Sequence, residues 1–224
     1  MNDYKLVEDI KDFYHKQLKK YMKKNKIKLF EKYGITNELV DKYLLGISFV
    51  DDNLEKYLLK KGYSKKELLN IPMFRSFESK ILDIANGMIM IPVNDRKGIC
   101  SGFLGIKESD DKEILTSTYE CIESNCIFGL ESWNSSSEDV YLCDNPLVAL
   151  KLNDSTSRVK YCSLKEKTIS IKEIFTLEEL NPKRILVPVS NFHLEDNYLC
   201  EINTILRLIE YKFNVMVMQK GKEY

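Results

Sequence analysis

The chain has almost no histidine, no surplus of either charge and no long apolar run, and each shortage closes a route. Only His15 and His193 occur in 224 residues. Neither lies near a tight cysteine pair. The six cysteines, Cys100, Cys121, Cys126, Cys143, Cys162 and Cys200, form no C-x-x-C spacing. A structural zinc site needs close groups of such ligands, so none is expected. The thiols are expected reduced and mostly buried, without disulfides. Lys+Arg and Asp+Glu each number 34, so the formal net charge is zero. No global field then draws the chain to nucleic acid, and any attraction must come from local clusters. No apolar stretch reaches the length of a bilayer span, and the charged N-terminus does not lead into a signal-peptide core. No membrane partner is expected, and the expected location is the cytoplasm.

What is present suits a globular chain, 44% apolar and 30% charged, long enough for one large domain or two small ones. From Asp3 to Met22 apolar residues recur at Leu6, Ile10, Phe13, Tyr14, Leu18 and Tyr21, the spacing of an amphipathic helix. Its end runs into KQLKKYMKKNKIK, with seven lysines and no acid: Lys16, Lys19, Lys20, Lys23, Lys24, Lys26 and Lys28. Such a run is either a solvated helix face or a phosphate-binding patch, since clustered lysines release counterions on meeting a nucleic-acid backbone.

Two similar pieces follow, LFEKYGITNELVDKYLLGI (Leu29–Ile47) and YLLKKGYSKKELLNI (Tyr57–Ile71). Gly34 and Gly62 suit left-handed helix ends. Thr36 and Ser64 are natural N-caps, and Ser64 with Glu67 forms a capping box. The region to about Leu82 therefore reads as several short helices. MIMIPVNDRKGICSGFLGI (Met88–Ile106) reads as a β-hairpin with a polar loop, and Gly102 and Gly105 mark a bulge or a close backbone approach. Lys107 to Asp139 is polar and carries no assignable element. From Val140 strands and helices alternate: strands at Val140–Cys143, Val159–Cys162, Arg184–Val189 and Asn214–Met218, helices at Pro146–Leu152, Leu177–Leu180 and Glu195–Tyr211. The last helix places Leu199, Ile202, Ile205, Leu206 and Ile209 on one face. Such alternation implies a parallel, covered sheet.

The order and wording of these pieces resemble the catalytic core of bacterial DnaG-type DNA primases. That family shows a tyrosine-rich opening helix and two "YL…RG-[IL]-[ST]" pieces. A hairpin of the form R-I-x-F-P-I-x-D-x-x-G-x-x-x-G-F-G-G-R follows, and the present chain matches it at Pro92, Asp95, Gly98, Gly102, Phe103 and Gly105. IFGL at Ile127–Leu130 is similar to the family's "LYGL", and the TOPRIM module comes next. The likeness spans roughly residues 10 to 223. It implies an α+β to α/β chain: a helical and hairpin subdomain over 1–135, then a TOPRIM-like, mainly parallel sheet with flanking helices over 136–224. The family's zinc-binding and helicase-binding domains have no match in this sequence.

TOPRIM chemistry needs carboxylates at strand ends, because nucleotidyl transfer uses divalent metal to bind phosphate and activate a hydroxyl. The family's glutamate falls on Asp144, the following glycine on Asn145 and a later aspartate on Val148. Its Asp-x-Asp pair falls on Ser190-Asn191-Phe192, and its "G-K-D" on Gly221-Lys222-Glu223. Asp144 thus reads as the remnant of a catalytic acid, or as an N-cap for the helix behind it. Glu195 and Asp196 stand close enough in sequence to offer replacement ligands. No cofactor is expected, and Mg²⁺ or Mn²⁺ only for an active enzyme.

The leading expectation is a primase-related protein without polymerase activity, binding single-stranded nucleic acid or replication proteins such as a helicase or primase, in the replication of a plasmid, phage or other mobile element. Its nucleic-acid contacts would come from the seven lysines, helped by Arg96 and Lys97. An active, divergent primase making RNA primers is one alternative. A non-enzymatic inhibitor or interaction module that mimics a primase is another.

Overall fold

A computed structural model describes residues 3–49, 53–78, 80–95, 97–108, 114–122, 127–130, 138–143, 145–153, 159–164, 168–189 and 195–219. The chain divides into two compact units, Met1–Ser124 and Asn125–Tyr224.

The first unit opens with α1 (Asp3–Met22), followed by α2 (Lys28–Tyr33), α3 (Asn37–Lys42), β1 (Gly46–Ile47), α4 (Asn53–Lys60) and α5 (Lys65–Leu69). Gly34 ends α2 at φ 66° and ψ 36°, the left-handed conformation the sequence implies. Thr36 caps α3 by accepting from the Leu39 amide at 3.3 Å, and Ser64 and Glu67 form the capping box of α5. The buried face of α1 is Leu6, Val7, Ile10, Tyr14 and Leu18. Its core partners include Leu58, Met73, Phe74, Met90 and Phe103, and the Tyr14 and Phe103 rings meet edge-on with centroids 5.8 Å apart.

The short-helix reading holds to Leu69 and fails beyond it. Phe74–Phe77 (β2) and Lys80–Asp83 (β3) form a two-stranded antiparallel hairpin. Phe74 and Ile81 are buried while Arg75, Ser76, Phe77 and Leu82 are exposed. One buried residue in each four-residue strand leaves no alternation to set against helical spacing.

The Met88–Ile106 hairpin is present as β4 (Ile89–Asn94) and β5 (Cys100–Glu108). Together with β1 and β6 (Ile114–Glu120) they make an antiparallel sheet in the order β1-β4-β5-β6. β6 falls in the stretch where the sequence shows no element. The register shifts between Val93 and Asn94, where β5 carries Ser101 as an extra residue beside Gly102, and the hairpin glycines answer to close approach as well. A Cβ on Gly102 would stand 2.3 Å from the Tyr119 carbonyl oxygen, and one on Gly105 2.7 Å from the Met88 sulfur. Within the loop, Asp95 Oδ1 accepts from the amides of Lys97 at 2.8 Å and Ile99 at 3.0 Å. The motif's aspartate is therefore a turn-building group.

The second unit contains β7 (Asp139–Cys143), α6 (Pro146–Asn153), β8 (Val159–Ser163), α7 (Ile171–Leu180), β9 (Arg184–Val189), α8 (Glu195–Glu210) and β10 (Val215–Gln219). All strand pairs are parallel, in the order β10-β9-β7-β8. This is the alternating, covered sheet the sequence implies, with β7 and β9 side by side. α7 is longer than its apolar signature because a capping box, Ser170 with Glu173, starts it six residues before Leu177. The core holds Val140, Leu142, Ile174, Leu177, Ile185, Val187, Ile205 and Leu208. On α8 the apolar face divides: Ile205 is 8% exposed, whereas Leu199 is 62%, Leu206 58% and Ile209 56%.

Candidate functional site

The lysine run spans the end of α1, the turn behind it and the start of α2. Lys24 and Asn25 donate backbone hydrogen bonds to the Tyr21 carbonyl, which closes that turn. Two of the seven lysines are neutralised: Lys19 bonds Asp41 at 2.7 Å, and Lys26 lies 3.3 Å from Glu31. Lys19 holds the exposed Asp41 carboxyl below its ordinary range. Lys16, Lys20, Lys23, Lys24 and Lys28 are exposed and form no ion pair with a described residue. The cationic side chains also sit at a helix C-terminus, where positive charge is favourable without any ligand.

Arg96 lies outside the described residues. Lys97 is exposed in the β4–β5 loop. That loop adjoins the other half of α1, because Glu8 accepts from the Cys100 amide at 2.7 Å. Glu8 and Lys20 are twelve residues apart on one helix, about 18 Å at 1.5 Å per residue. The lysine cluster and Lys97 therefore belong to different stretches of surface on the first unit.

A third feature of α1 escapes sequence reading. Asp9, 9% exposed, accepts from Lys61 Nζ at 2.5 Å and from the Tyr63 hydroxyl at 2.7 Å. Burial pushes its carboxyl upward, but the hydrogen bonds from Lys61 and Tyr63 outweigh burial and hold it below the ordinary range. Burial and the Asp9 bond push the Tyr63 hydroxyl up to about 12. Both donors come from the second Gly-containing piece, so KKGY docks that repeat onto α1. Only pairing across some fifty residues reveals this, and no local pattern carries it.

The candidate metal-binding positions follow directly on strands. β7 ends at Cys143, before Asp144, and β9 ends at Val189, before Ser190-Asn191-Phe192. The two strands are parallel neighbours with Tyr141 opposite Leu186. Asp144, Ser190 to Phe192 and Gly221 to Glu223 all lie outside the described residues, as do the side chains of Glu195 and Asp196. The cap of α6 is Asn145, which corrects the reading of Asp144 as that cap. Asn145 Oδ1 accepts from the Leu147 amide at 2.9 Å, and its carbonyl takes the Val148 and Ala149 amides. Among the described residues no three His, Cys, Asp or Glu side chains gather as a metal site. The donor chemistry that follows the two strands is one carboxylate, one hydroxyl, one amide and a phenyl ring. That set does not fit a pair of divalent ions, which takes carboxylates from both strand ends.

Residues 13–118 match the family model for the DNA primase catalytic core, N-terminal domain. A DNA primase of Pasteurella multocida (strain Pm70) is 29% identical over 115 residues, which is 50% of this chain and 19% of that protein. The chain thus matches about a fifth of that relative's length. A DNA primase domain from Pseudomonas aeruginosa has the same fold, with a TM-score of 0.76, 20% identity, and coverage of 99% of this chain and 72% of that one. A DnaG primase catalytic domain bound to single-stranded DNA gives a TM-score of 0.68 at 15% identity, covering 99% and 74%. No helix among the described residues is long and apolar enough to cross a membrane. Residues 13–118 therefore resemble the DNA primase catalytic core, N-terminal domain, and the chain as a whole has the fold of DnaG-type catalytic cores.

Proposed function

We propose that this protein holds single-stranded nucleic acid through the lysine-rich end of α1 during DNA replication, and synthesises no primer. The observation that carries the reading is the set of five exposed lysines without a carboxylate partner among the described residues, inside the stretch that matches the primase core. A related catalytic domain is known bound to single-stranded DNA, which supports the same ligand here. Loss of synthesis is supported by the residues after β9, where Ser190 and Phe192 stand at the family's two metal carboxylates. Asp144 would then persist as a remnant over a degenerate TOPRIM-like sheet, in a subdomain we take to span 136–224. Arg96 and Lys97 would add contacts on a separate stretch of surface.

Binding is expected to be weak and salt-sensitive, with little sequence preference. Five uncovered lysines allow a log–log salt slope of at most about −3.5 on single strands. Replacing Lys16, Lys20, Lys23 and Lys24 with Gln should abolish most of that slope in a fluorescence-anisotropy titration. An unchanged slope removes this cluster from the function. Primer synthesis is tested separately, on single-stranded template with Mg²⁺ and with Mn²⁺. Template-dependent RNA that disappears in Asp144→Asn overturns the non-catalytic reading and makes the protein an active, divergent primase. The setting we propose is the replication of a plasmid, phage or other mobile element, with a helicase or primase as partner. Deleting the gene should lower the copy number of the element that carries it and leave chromosomal replication unchanged.

A further inference from the structure

The two faces of the β2–β3 hairpin carry different chemistry. In an antiparallel pair, directly opposite residues share a face, and so do residues two apart along a strand. Phe74 with Asp83 and Ser76 with Ile81 therefore make one face, and Arg75 with Leu82 and Phe77 with Lys80 the other. The first face supplies Phe74 and Ile81 to the core beneath α1. On the second, Phe77 is 59% exposed and Leu82 40%, and Arg75 and Lys80 are exposed beside them.

Charge on that outer face has one sign. Neither Arg75 nor Lys80 forms an ion pair with a described residue. Of the nearby acids, Asp83 belongs to the opposite face, where it accepts from Tyr14 at 2.5 Å and Ser48 at 2.7 Å, and Glu78 lies in the turn between the strands. The Arg75 guanidinium is held in place by backbone: Nη1 donates to the Pro72 carbonyl at 3.0 Å and to the Phe74 carbonyl at 2.8 Å. Nε and Nη2 keep their protons for another acceptor, and they form the planar fork that meets phosphate or carboxylate oxygens in pairs. Held this way, the fork loses little freedom when it meets one. The Phe77 ring is open as well. Tyr33, Tyr43 and Tyr57 each carry a lysine ammonium over the ring, 5.5, 5.3 and 5.1 Å from the centroid. Among the described residues, Phe77 has neither a cation nor a second ring over its face.

We propose that the outer face of this hairpin is a second contact for single-stranded nucleic acid, where an unpaired base stacks on Phe77 and Arg75 and Lys80 take the flanking phosphates. Every base has a π-face, so an open ring beside cations accepts a strand of any sequence. A duplex hides those faces in its own stack, so the strand must be single. A protein partner would also offer acceptors to the fork, but it would cover a continuous apolar patch. Here Phe77 and Leu82 lie on one diagonal of the ladder and Arg75 and Lys80 on the crossing one, which breaks any such patch. Arg75 and Phe77 are about 7 Å apart along the strand, room for about two nucleotides. The contact goes beyond the lysine-rich end of α1. It shares that ligand and none of its residues, and it holds a base where the lysines meet only charge.

Anisotropy titrations at low salt test it with two labelled probes of equal charge, a twelve-residue oligothymidylate and a twelve-residue abasic strand. Phe77→Ala should weaken thymidylate binding about 5- to 150-fold, the worth of one stacked base, and leave the abasic strand unchanged. Arg75→Gln combined with Lys80→Gln should weaken both probes and lower the log–log salt slope by about 1.4. That pair decides the matter should Phe77→Ala lose its native circular-dichroism spectrum. Replacing Lys16, Lys20, Lys23 and Lys24 with Gln reads the other site. An unchanged slope there with a loss in Phe77→Ala retains the hairpin and removes the lysines, and the reverse retains the lysines alone. Equal thymidylate affinity in Phe77→Ala, an equal loss on the abasic strand, an unchanged slope in the Arg75 and Lys80 pair, or no thymidylate binding by the unaltered protein would each overturn the proposal. Displacement of the thymidylate by an equal concentration of an alternating Glu-Leu peptide would overturn it too, and assign the face to a protein partner.

Discussion

Asp9 shows how one buried carboxylate can tie two distant segments, and its charge state sets a pH limit. Its folded pKa lies below the ordinary carboxylate value, so its contribution to stability is complete above about pH 4 and is lost as pH falls through the folded value. Asp9→Asn should therefore flatten the acid limb of a stability-against-pH curve from urea denaturation. An equally steep limb in that variant would show that Asp9 is not linked to folding. Close packing makes a second prediction at this scale. A Cβ on Gly46 would stand 2.4 Å from Tyr14 Cβ and 2.9 Å from the Tyr14 carbonyl carbon, against a side chain that is 1% exposed. Gly46→Ala is expected to cost about 1–3 kcal/mol, since neither the helix backbone nor the ring beside it can yield freely. At the opening of α6, Asn145→Ala should cost about 0.5–2 kcal/mol through loss of the cap. Asp144→Asn should leave the thermal midpoint unchanged, which separates the two neighbours in a single pair of melts.

Elements whose signal is local were legible in the sequence, and those built by distant partners were not. The Ser64–Glu67 capping box, the Gly34 helix end and the β4–β5 hairpin all declare themselves within a few residues, because caps and turns are satisfied by their own neighbours. β6 did not, since its strand character depends on pairing with β5 and its polar side chains look like loop. Along α8 the sequence supplied a single apolar face, yet of it only Ile205 is buried in the core and Ile202 packs against it, while Leu208, outside that face, is buried as well. Periodicity records which residues are apolar and not which neighbour covers them. The candidate site divides the same way. The lysine run was plain, but the capture of Lys19 by Asp41 and of Lys26 by Glu31 depends on where α2 and α3 fold back. This gives a prediction for the element: Lys19→Gln should weaken single-strand binding less than Lys20→Gln, because Lys19 already donates to Asp41 at 2.7 Å. Equal losses in anisotropy titrations would mean that the Lys19–Asp41 pair opens to release its cation.

At the scale of the molecule, α1 is the member on which the first unit converges. Its side chains meet Gly46, Lys61 and Tyr63, Asp83, Cys100 and Phe103. The partners thus come from both helical pieces and both hairpins. Tyr14 donates to Asp83 at 2.5 Å, and Ser48 donates to the same carboxylate at 2.7 Å. The order of synthesis turns this into a wait. α1 leaves the ribosome before these partners, and Phe103 follows some ninety residues later, roughly 5–20 s at ordinary elongation rates. Through that interval the apolar face of α1 has no finished surface to lie on. Nascent chains arrested with residues up to 95 exposed should remain sensitive to protease within α1, and those arrested beyond 125 should resist it. An element made before all of its partners would be among the last to become secure.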